Sequence, residues 1–179
     1  GIFFASDMDG NENEQIYYLG EGGEPQRLTH GDMARYFFAG ATKDLQWVRL
    51  ASNARDAAHF DIVQINTETQ EVDLVIENND HYNIPRCLSP DGRYMLTNKL
   101  RAQSDNPLYL VDFETREQRP LIPDAPKAAY VNPVFASDSR TVYYTSDVDS
   151  EYLAVYRFVI GEDEVPTLIY ELDYDVDQL

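Results

Sequence analysis

The feature that most constrains this chain is a short apolar segment that recurs four times at nearly constant spacing. Each copy is rich in aromatic and aliphatic residues and ends in a small polar residue, a composition typical of a half-buried β-strand. The copies are residues 2–6, 47–52, 94–98 and 142–146, and their final residues, Ser6, Ser52, Asn98 and Ser146, lie 46, 46 and 48 residues apart. A fixed period of about 40–50 residues indicates a repeat architecture in which each repeat is one small sheet.

Each recurring segment, called here a lead strand, has further strand-like segments around it. Two more follow it in every repeat, and in three repeats one precedes it, at 36–38, 86–88 and 133–135. The turn before the lead strand is clearest at Ser89-Pro90-Asp91-Gly92, where Pro favours the turn dihedrals and Gly accepts a positive φ. The turns at 40–44 and 137–139 depart from this form, so we expect local irregularity there. Four strands joined as a meander make one blade of a β-propeller.

The repeats therefore predict an all-β fold, a β-propeller of four-stranded antiparallel blades. We expect one partial, open domain of about four blades over residues 1–179. Its blades are 1–33 (with the first strand missing), 34–81, 82–126 and 127–173, and residues 174–179 would begin a next blade. Because each blade packs against its neighbours, an open array leaves its terminal faces uncovered. We therefore expect part of a larger propeller, and self-association of the isolated chain through the faces at 2–6 and 155–170.

Charge and composition limit the partners. The net charge of −18, from 14 basic and 32 acidic residues, gives the wrong field for nucleic acid, so no nucleic-acid partner is expected. No run approaches the roughly 18 apolar residues of a membrane helix, so no membrane partner is expected. The single Cys87 is expected to be a buried small hydrophobe on an inner strand. This cysteine usage favours the cytoplasm, with the periplasm as the alternative.

Several patterns invite a functional interpretation, and each has a structural alternative. Residues 7–13 place oxygen-bearing side chains as a calcium loop does, but they lack Gly at the sixth position, so we expect a hairpin turn. His30, His59 and His81 show no metal-ligand spacing. Neither a Gly-x-Ser-x-Gly elbow nor a phosphate-binding glycine loop is present. We therefore predict no catalytic, cofactor-binding or metal-binding residue, no cofactor, and no catalysis by this chain itself.

The residue pattern of the repeats resembles that of a known group of propellers. Residues 2–11, 15–17 and 22–29 resemble the repeat shared by Tol-system propellers and the propellers of prolyl oligopeptidase family peptidases, and 89–94 is its most recurrent element. Residues 51–56 with Phe60-Asp61, then 146–152 and 174–177, are similar to the acylaminoacyl-peptidase-like branch of these serine peptidases. The resemblance covers essentially the whole chain.

The resemblance implies a division of labour. In such peptidases the propeller covers a C-terminal α/β-hydrolase domain, which supplies the catalytic serine, aspartate and histidine. The propeller admits short peptide substrates and keeps folded proteins out. The expected partners of this chain are thus a hydrolase domain of the parent chain and short peptides, and no residue here matches a substrate-contacting motif of the family.

Three hypotheses follow. The first is a non-catalytic propeller region that gates a serine peptidase and helps select its short peptide substrates. The second is a Tol-type propeller that acts as a protein-interaction scaffold. The third is a sugar-active propeller enzyme with a metal held by histidine.

Overall fold

The regular structure of this chain consists of β-strands, as the repeats predict. The computed structural model describes residues 1–7, 10–80 and 82–179. The first sheet contains β1 (Ile2–Ser6), β2 (Gln15–Leu19) and β3 (Gln26–Arg27). The second contains β4 (Tyr36–Ala41), β5 (Trp47–Asp56), β6 (His59–Asn66) and β7 (Val72–Ile76). The third contains β8 (Tyr82–Leu88), β9 (Tyr94–Leu100), β10 (Leu108–Asp112) and β11 (Glu117–Pro120), and the fourth β12 (Tyr130–Phe135), β13 (Thr141–Ser146), β14 (Ala154–Val159) and β15 (Thr167–Tyr170).

Every sheet is an antiparallel meander in chain order. Three sheets have four strands, in the orders β4-β5-β6-β7, β8-β9-β10-β11 and β12-β13-β14-β15, and the first has three, β1-β2-β3. The lead strands are β1, β5, β9 and β13. The all-β prediction and the antiparallel blade topology are confirmed. Within the described residues no helix is long and apolar enough to cross a membrane.

The chain forms two compact units, Gly1–Asn83 and Ile84–Leu179. In the first unit, apolar side chains of the first two sheets pack together, and Phe3 stacks on Phe38 with ring centroids 5.9 Å apart. The buried members of this core are Ile16, Leu28, Ala34, Tyr36, Val48, Leu50, Val63 and Ile65. That the whole chain is a single domain stays a prediction.

The core of the second unit is rich in tyrosine. The Tyr144 ring lies 5.7 Å from that of Tyr156 and 5.8 Å from that of Tyr130. Strand β14 alternates buried and half-buried residues along its whole length, which is the period of a strand with one face in the core. The remaining fully buried large side chains of this unit are Met95, Leu96, Leu110 and Leu121.

The turn before each lead strand keeps one geometry although its sequence varies. An aspartate recurs 47 residues apart at Asp44, Asp91 and Asp138, and its Oδ1 accepts a backbone N–H two residues later. At Asp138, a hydrogen bond from the Thr141 hydroxyl and bonds from the backbone N–H groups of Thr141 and Arg140 lower the pKa of the carboxyl to about 2. The residue after each aspartate has a positive φ; these residues are Leu45, Gly92 and Ser139. The expected irregularity is confined to Gly40, where the β4–β5 pairing shifts register, and the turns themselves keep one form.

Leu45 occupies a backbone conformation that suits glycine. Its φ is +59° and its side chain is largely exposed. Because a left-handed conformation costs an L-residue roughly 1–2 kcal/mol, Leu45→Gly is expected to raise the free energy of unfolding by about 1 kcal/mol. Urea titration with the fluorescence of Trp47, in the same sheet, measures it. Leu45→Ala keeps the β-carbon and should give little gain; an equal gain from Ala would contradict the backbone argument.

Candidate functional site

Two of the four recurring small polar residues, Ser52 and Ser146, cap the backbone that follows them. Ser52 Oγ accepts the backbone N–H of Ala54 at 3.1 Å, and Ser146 Oγ accepts that of Val148 at 3.2 Å. Both serines are buried. Such side-chain bonds stabilise the turn that leaves the strand. In the third sheet the same position is Asn98, and its Nδ2 instead donates to the backbone oxygens of Asn106 and Tyr130.

The next residue joins the lead strand to the start of the innermost strand of the same sheet. Asn53 Oδ1 accepts the N–H of Arg35, just before β4, at 2.6 Å. Asp147 Oδ1 accepts the N–H of Ala129, just before β12, at 2.7 Å. In the first sheet the corresponding residue is Asp7, and its Oδ2 accepts the N–H of Glu12 at 3.0 Å.

The segment at 7–13 makes the contacts of a hairpin turn. Besides the bond of Asp7 to Glu12, Asn11 Oδ1 accepts the N–H of Asn13 at 2.9 Å. Met8 and Asp9, which belong to the calcium-loop pattern, lie outside the described residues. Across the described parts of the chain, no three His, Cys, Asp or Glu side chains are grouped as metal ligands would be.

The most apolar of the described pockets lies in the first unit, beside the end of lead strand β5. Its volume is about 410 Å³. Tyr36 and four aliphatic side chains form most of its wall, and its polar members include Arg55 and Asp61. The lining residues are His30, Tyr36, Ser52, Ala54, Arg55, Asp61, Val63, Val72 and Leu74.

An ion pair between Arg55 and Asp61 forms part of the pocket wall. Arg55 donates from Nε to Asp61 Oδ2 at 2.7 Å and from Nη2 to Oδ1 at 2.9 Å. Asp61 also accepts the backbone N–H of Asn78 at 2.8 Å and is 1% exposed. The bond to Asp61 raises the pKa of Arg55. A two-point bond of this kind fixes the plane of the guanidinium.

Ser52, His30 and Asp61 surround the same pocket, but their contacts are not those of an acyl-transfer triad. Such a triad needs the serine bonded to the histidine and the histidine to the carboxylate. Here Asp61 is engaged by Arg55 and Asn78, and Ser52 accepts from Ala54. The pocket can bind an apolar group beside polar donors, and its described contacts do not prepare a nucleophile.

The other residues singled out by the sequence lie apart from one another. His59 Nδ1 lies 2.9 Å from Asp56 Oδ2 in the β5–β6 hairpin. His81 lies outside the described residues. Cys87 is half-buried on the innermost strand β8, and burial raises its pKa to about 12, so its thiol stays neutral and unreactive. The inner-strand position expected for Cys87 is confirmed.

Sequence reasoning did not single out the Arg55–Asp61 pocket. The two residues are only six apart, but their side chains meet because the β5–β6 pairing shifts register between Ser52 and Asp56. Asn78, two residues after β7, bonds to both of them through its backbone N–H and C=O groups. No spacing rule for ligands or catalytic groups covers that arrangement.

Comparison with protein-family profiles and with curated protein sequences finds no match. Solved structures do resemble the chain. A puromycin-hydrolysing peptidase from Mycobacterium tuberculosis superposes with a TM-score of 0.72 and 16% identity, over 99% of this chain and 31% of that one. A TolB from Agrobacterium tumefaciens gives 0.68 and 19%, over 95% and 61%. An oligogalacturonate lyase from Vibrio parahaemolyticus gives 0.61 and 15%, over 94% and 46%.

These likenesses show the fold, and it is that of a β-propeller. The neighbours include both TolB and peptidase propellers, as the resemblance of the repeats implies. The chain spans 61% of the TolB chain and 31% of the peptidase chain. At these identities the neighbours differ in activity while sharing blades, so the fold alone does not assign one.

Proposed function

We propose that this chain is a non-catalytic propeller region of a serine peptidase. In this proposal it covers an α/β-hydrolase domain of the parent chain, admits short peptides and excludes folded proteins. The supporting observation is the superposition on the Mycobacterium tuberculosis peptidase, which includes 99% of this chain but only 31% of that one. The proposed compartment of the parent peptidase is the cytoplasm, with the periplasm as the alternative.

The contacts of the candidate site agree with a non-catalytic role. Around the apolar pocket, the serine and the carboxylate are engaged by other groups. A gating propeller needs stable blades and shaped openings, since the chemistry belongs to another domain. The caps at Ser52 and Ser146 supply part of that stability.

A TolB-type interaction scaffold is the second candidate. It is favoured by the superposition on the Agrobacterium protein, which covers the larger share of its neighbour, 61%. The two candidates differ in what the gene encodes after Leu179. A peptidase requires further blades and then a Gly-x-Ser-x-Gly elbow with later aspartate and histidine. A reading frame that closes after the blades would overturn the peptidase proposal in favour of the scaffold.

The purified chain is expected to hydrolyse neither fluorogenic peptides nor simple esters. The physical reason is that no serine–histidine bond occurs among its described contacts, so no nucleophile is activated. Turnover is measured with a panel of short peptides before and after Ser52→Ala. Activity that survives purification and disappears with Ser52→Ala would contradict a non-catalytic role, whereas activity unaffected by that substitution would point to a contaminant.

A further inference from the structure

The outermost strand of the fourth sheet, β15, is an exposed apolar edge. It is last in the strand order, so one edge pairs with β14 and no strand of the sheet lies beside the other. All four of its residues are exposed. Leu168, Ile169 and Tyr170 are 49%, 48% and 55% exposed. An edge of this kind can accept another strand through its free backbone groups.

The outer edges of the other three sheets carry features that discourage pairing. Strand β3 is two residues long and follows Pro25. Strand β11 contains Glu117, Arg119 and Pro120. Strand β7 contains Asp73. Charges, proline and short length are the usual protections of an edge strand. Strand β15 is as short as β11, and its pairing with β14 shifts register between Val155 and Tyr156, but it contains neither a charged residue nor proline.

The segments that flank β15 are strongly acidic. No Lys or Arg follows Arg157, whereas the acidic residues after it are Glu162, Asp163, Glu164, Glu171, Asp173, Asp175 and Asp177. Glu162 pairs with Arg140 at 3.1 Å. Asp163, Glu171 and Asp175 accept bonds from neutral N–H or O–H groups, so their charges are not cancelled by these partners.

The acidic flanks favour some partner strands for β15 over others. A second copy paired antiparallel through β15 would bring the carboxylates before the strand in one copy against those after it in the other. Like charges placed opposite each other destabilise a strand pair. In a strand with an apolar centre and basic flanks, the Lys or Arg side chains at both ends would be attracted to the carboxylates around β15. Its backbone between them would hydrogen-bond to the outer edge of β15.

We propose that β15 is a docking edge for an extended segment with an apolar centre flanked by Lys or Arg. The segment pairs with β15 as a fifth strand, and its alternate side chains lie against Leu168 and Ile169. This inference concerns the fourth sheet alone and does not depend on the peptidase proposal.

The test uses two synthetic peptides of one length. The first, acetyl-Lys-Lys-Val-Thr-Val-Thr-Lys-Lys-amide, should bind the full chain and slow amide hydrogen exchange at Thr167–Tyr170. The second has Glu in place of every Lys and should bind at least ~10-fold more weakly. Raising salt from about 50 mM to about 500 mM should weaken the first peptide, since exposed charges are then screened.

Two matched variants locate the binding. Ile169→Lys places a positive charge on the edge and should weaken the basic peptide at least ~10-fold. Leu100→Lys makes a comparable change on β9, where Leu100 is 37% exposed, and should leave binding unchanged. Circular dichroism of both variants checks that the sheets are intact.

Three results would overturn the proposal. The first is absence of binding by the basic peptide at millimolar concentration. The second is exchange protection at Ile2–Ser6 instead of β15, which would place the docking edge on the first sheet. The third is a dimer without peptide, with β15 protected, which would make a second copy the occupant.

Discussion

Tyr144→Ala is expected to lower the free energy of unfolding by about 4 kcal/mol, because it removes a large side chain from the centre of the second core. Tyr144 is fully buried, and its ring contacts those of Tyr130 and Tyr156. The neighbouring strands are held by sheet pairing and cannot fully close the cavity. Urea titration of the full chain, followed by far-ultraviolet circular dichroism, measures the change.

Tyr144→Phe is the matched control and should have the opposite sign. The buried hydroxyl of Tyr144 has no hydrogen-bond partner among the described residues, and burial raises its pKa, so it stays neutral. Removing an unsatisfied buried hydroxyl while keeping the ring should raise the free energy of unfolding by about 1 kcal/mol. A loss of stability in Tyr144→Phe would show that the hydroxyl is bonded in solution.

Asp61→Asn should lower the free energy of unfolding by about 3 kcal/mol, the next largest effect. The substitution removes the charge that Arg55 meets at two points and turns one carboxylate oxygen into an NH₂ group facing donors. Asp61 is buried, whereas the side chain of Arg55 is 36% exposed, so water limits the cost on the arginine side. Fluorescence of Trp47 in the same sheet reports the transition.

Asp56→Asn provides the comparison for that experiment. Asp56 pairs with His59 at 2.9 Å, but its side chain is 42% exposed, so the loss of stability should be much smaller than that caused by Asp61→Asn. The double change Arg55→Met with Asp61→Leu should recover part of the loss caused by Asp61→Asn, because no unpaired charge remains. Equal effects of Asp61→Asn and Asp56→Asn would contradict the structural role given to the buried pair.

The self-association expected from the sequence stays a prediction, and the charges around β15 bear on it. The residues that would form such a contact include exposed apolar side chains, among them Ile2 at 60% and Tyr170 at 55%. The acidic flanks of β15 oppose contact between copies there. Association through this edge would therefore grow with salt, opposite to binding of the basic peptide.

The strands and turns could be predicted because their signals are local. Alternation of apolar and polar residues sets which side of a strand is buried, so the predicted lead strands begin within one residue of the observed ones. Strands β5 and β9 run further than predicted, to Asp56 and Leu100. The recurring aspartate of the turns acts on its own neighbours, as Asp91 does on Arg93. The turns at 40–44 and 137–139 depart from the regular form in sequence, yet the bonds of Asp44 and Asp138 keep the same turn.

The class of fold follows from the order of residues alone, since a period of 46 to 48 residues and strand-length alternation are properties of the chain read in order. Which polar groups converge depends on how the folded strands pair. Arg55, Asp61 and Asn78 meet through strand pairing and a register shift, and β15 is unprotected because it lies outermost in its sheet. The physical reason is that periodicity is set by neighbours along the chain, whereas a site is set by neighbours in space.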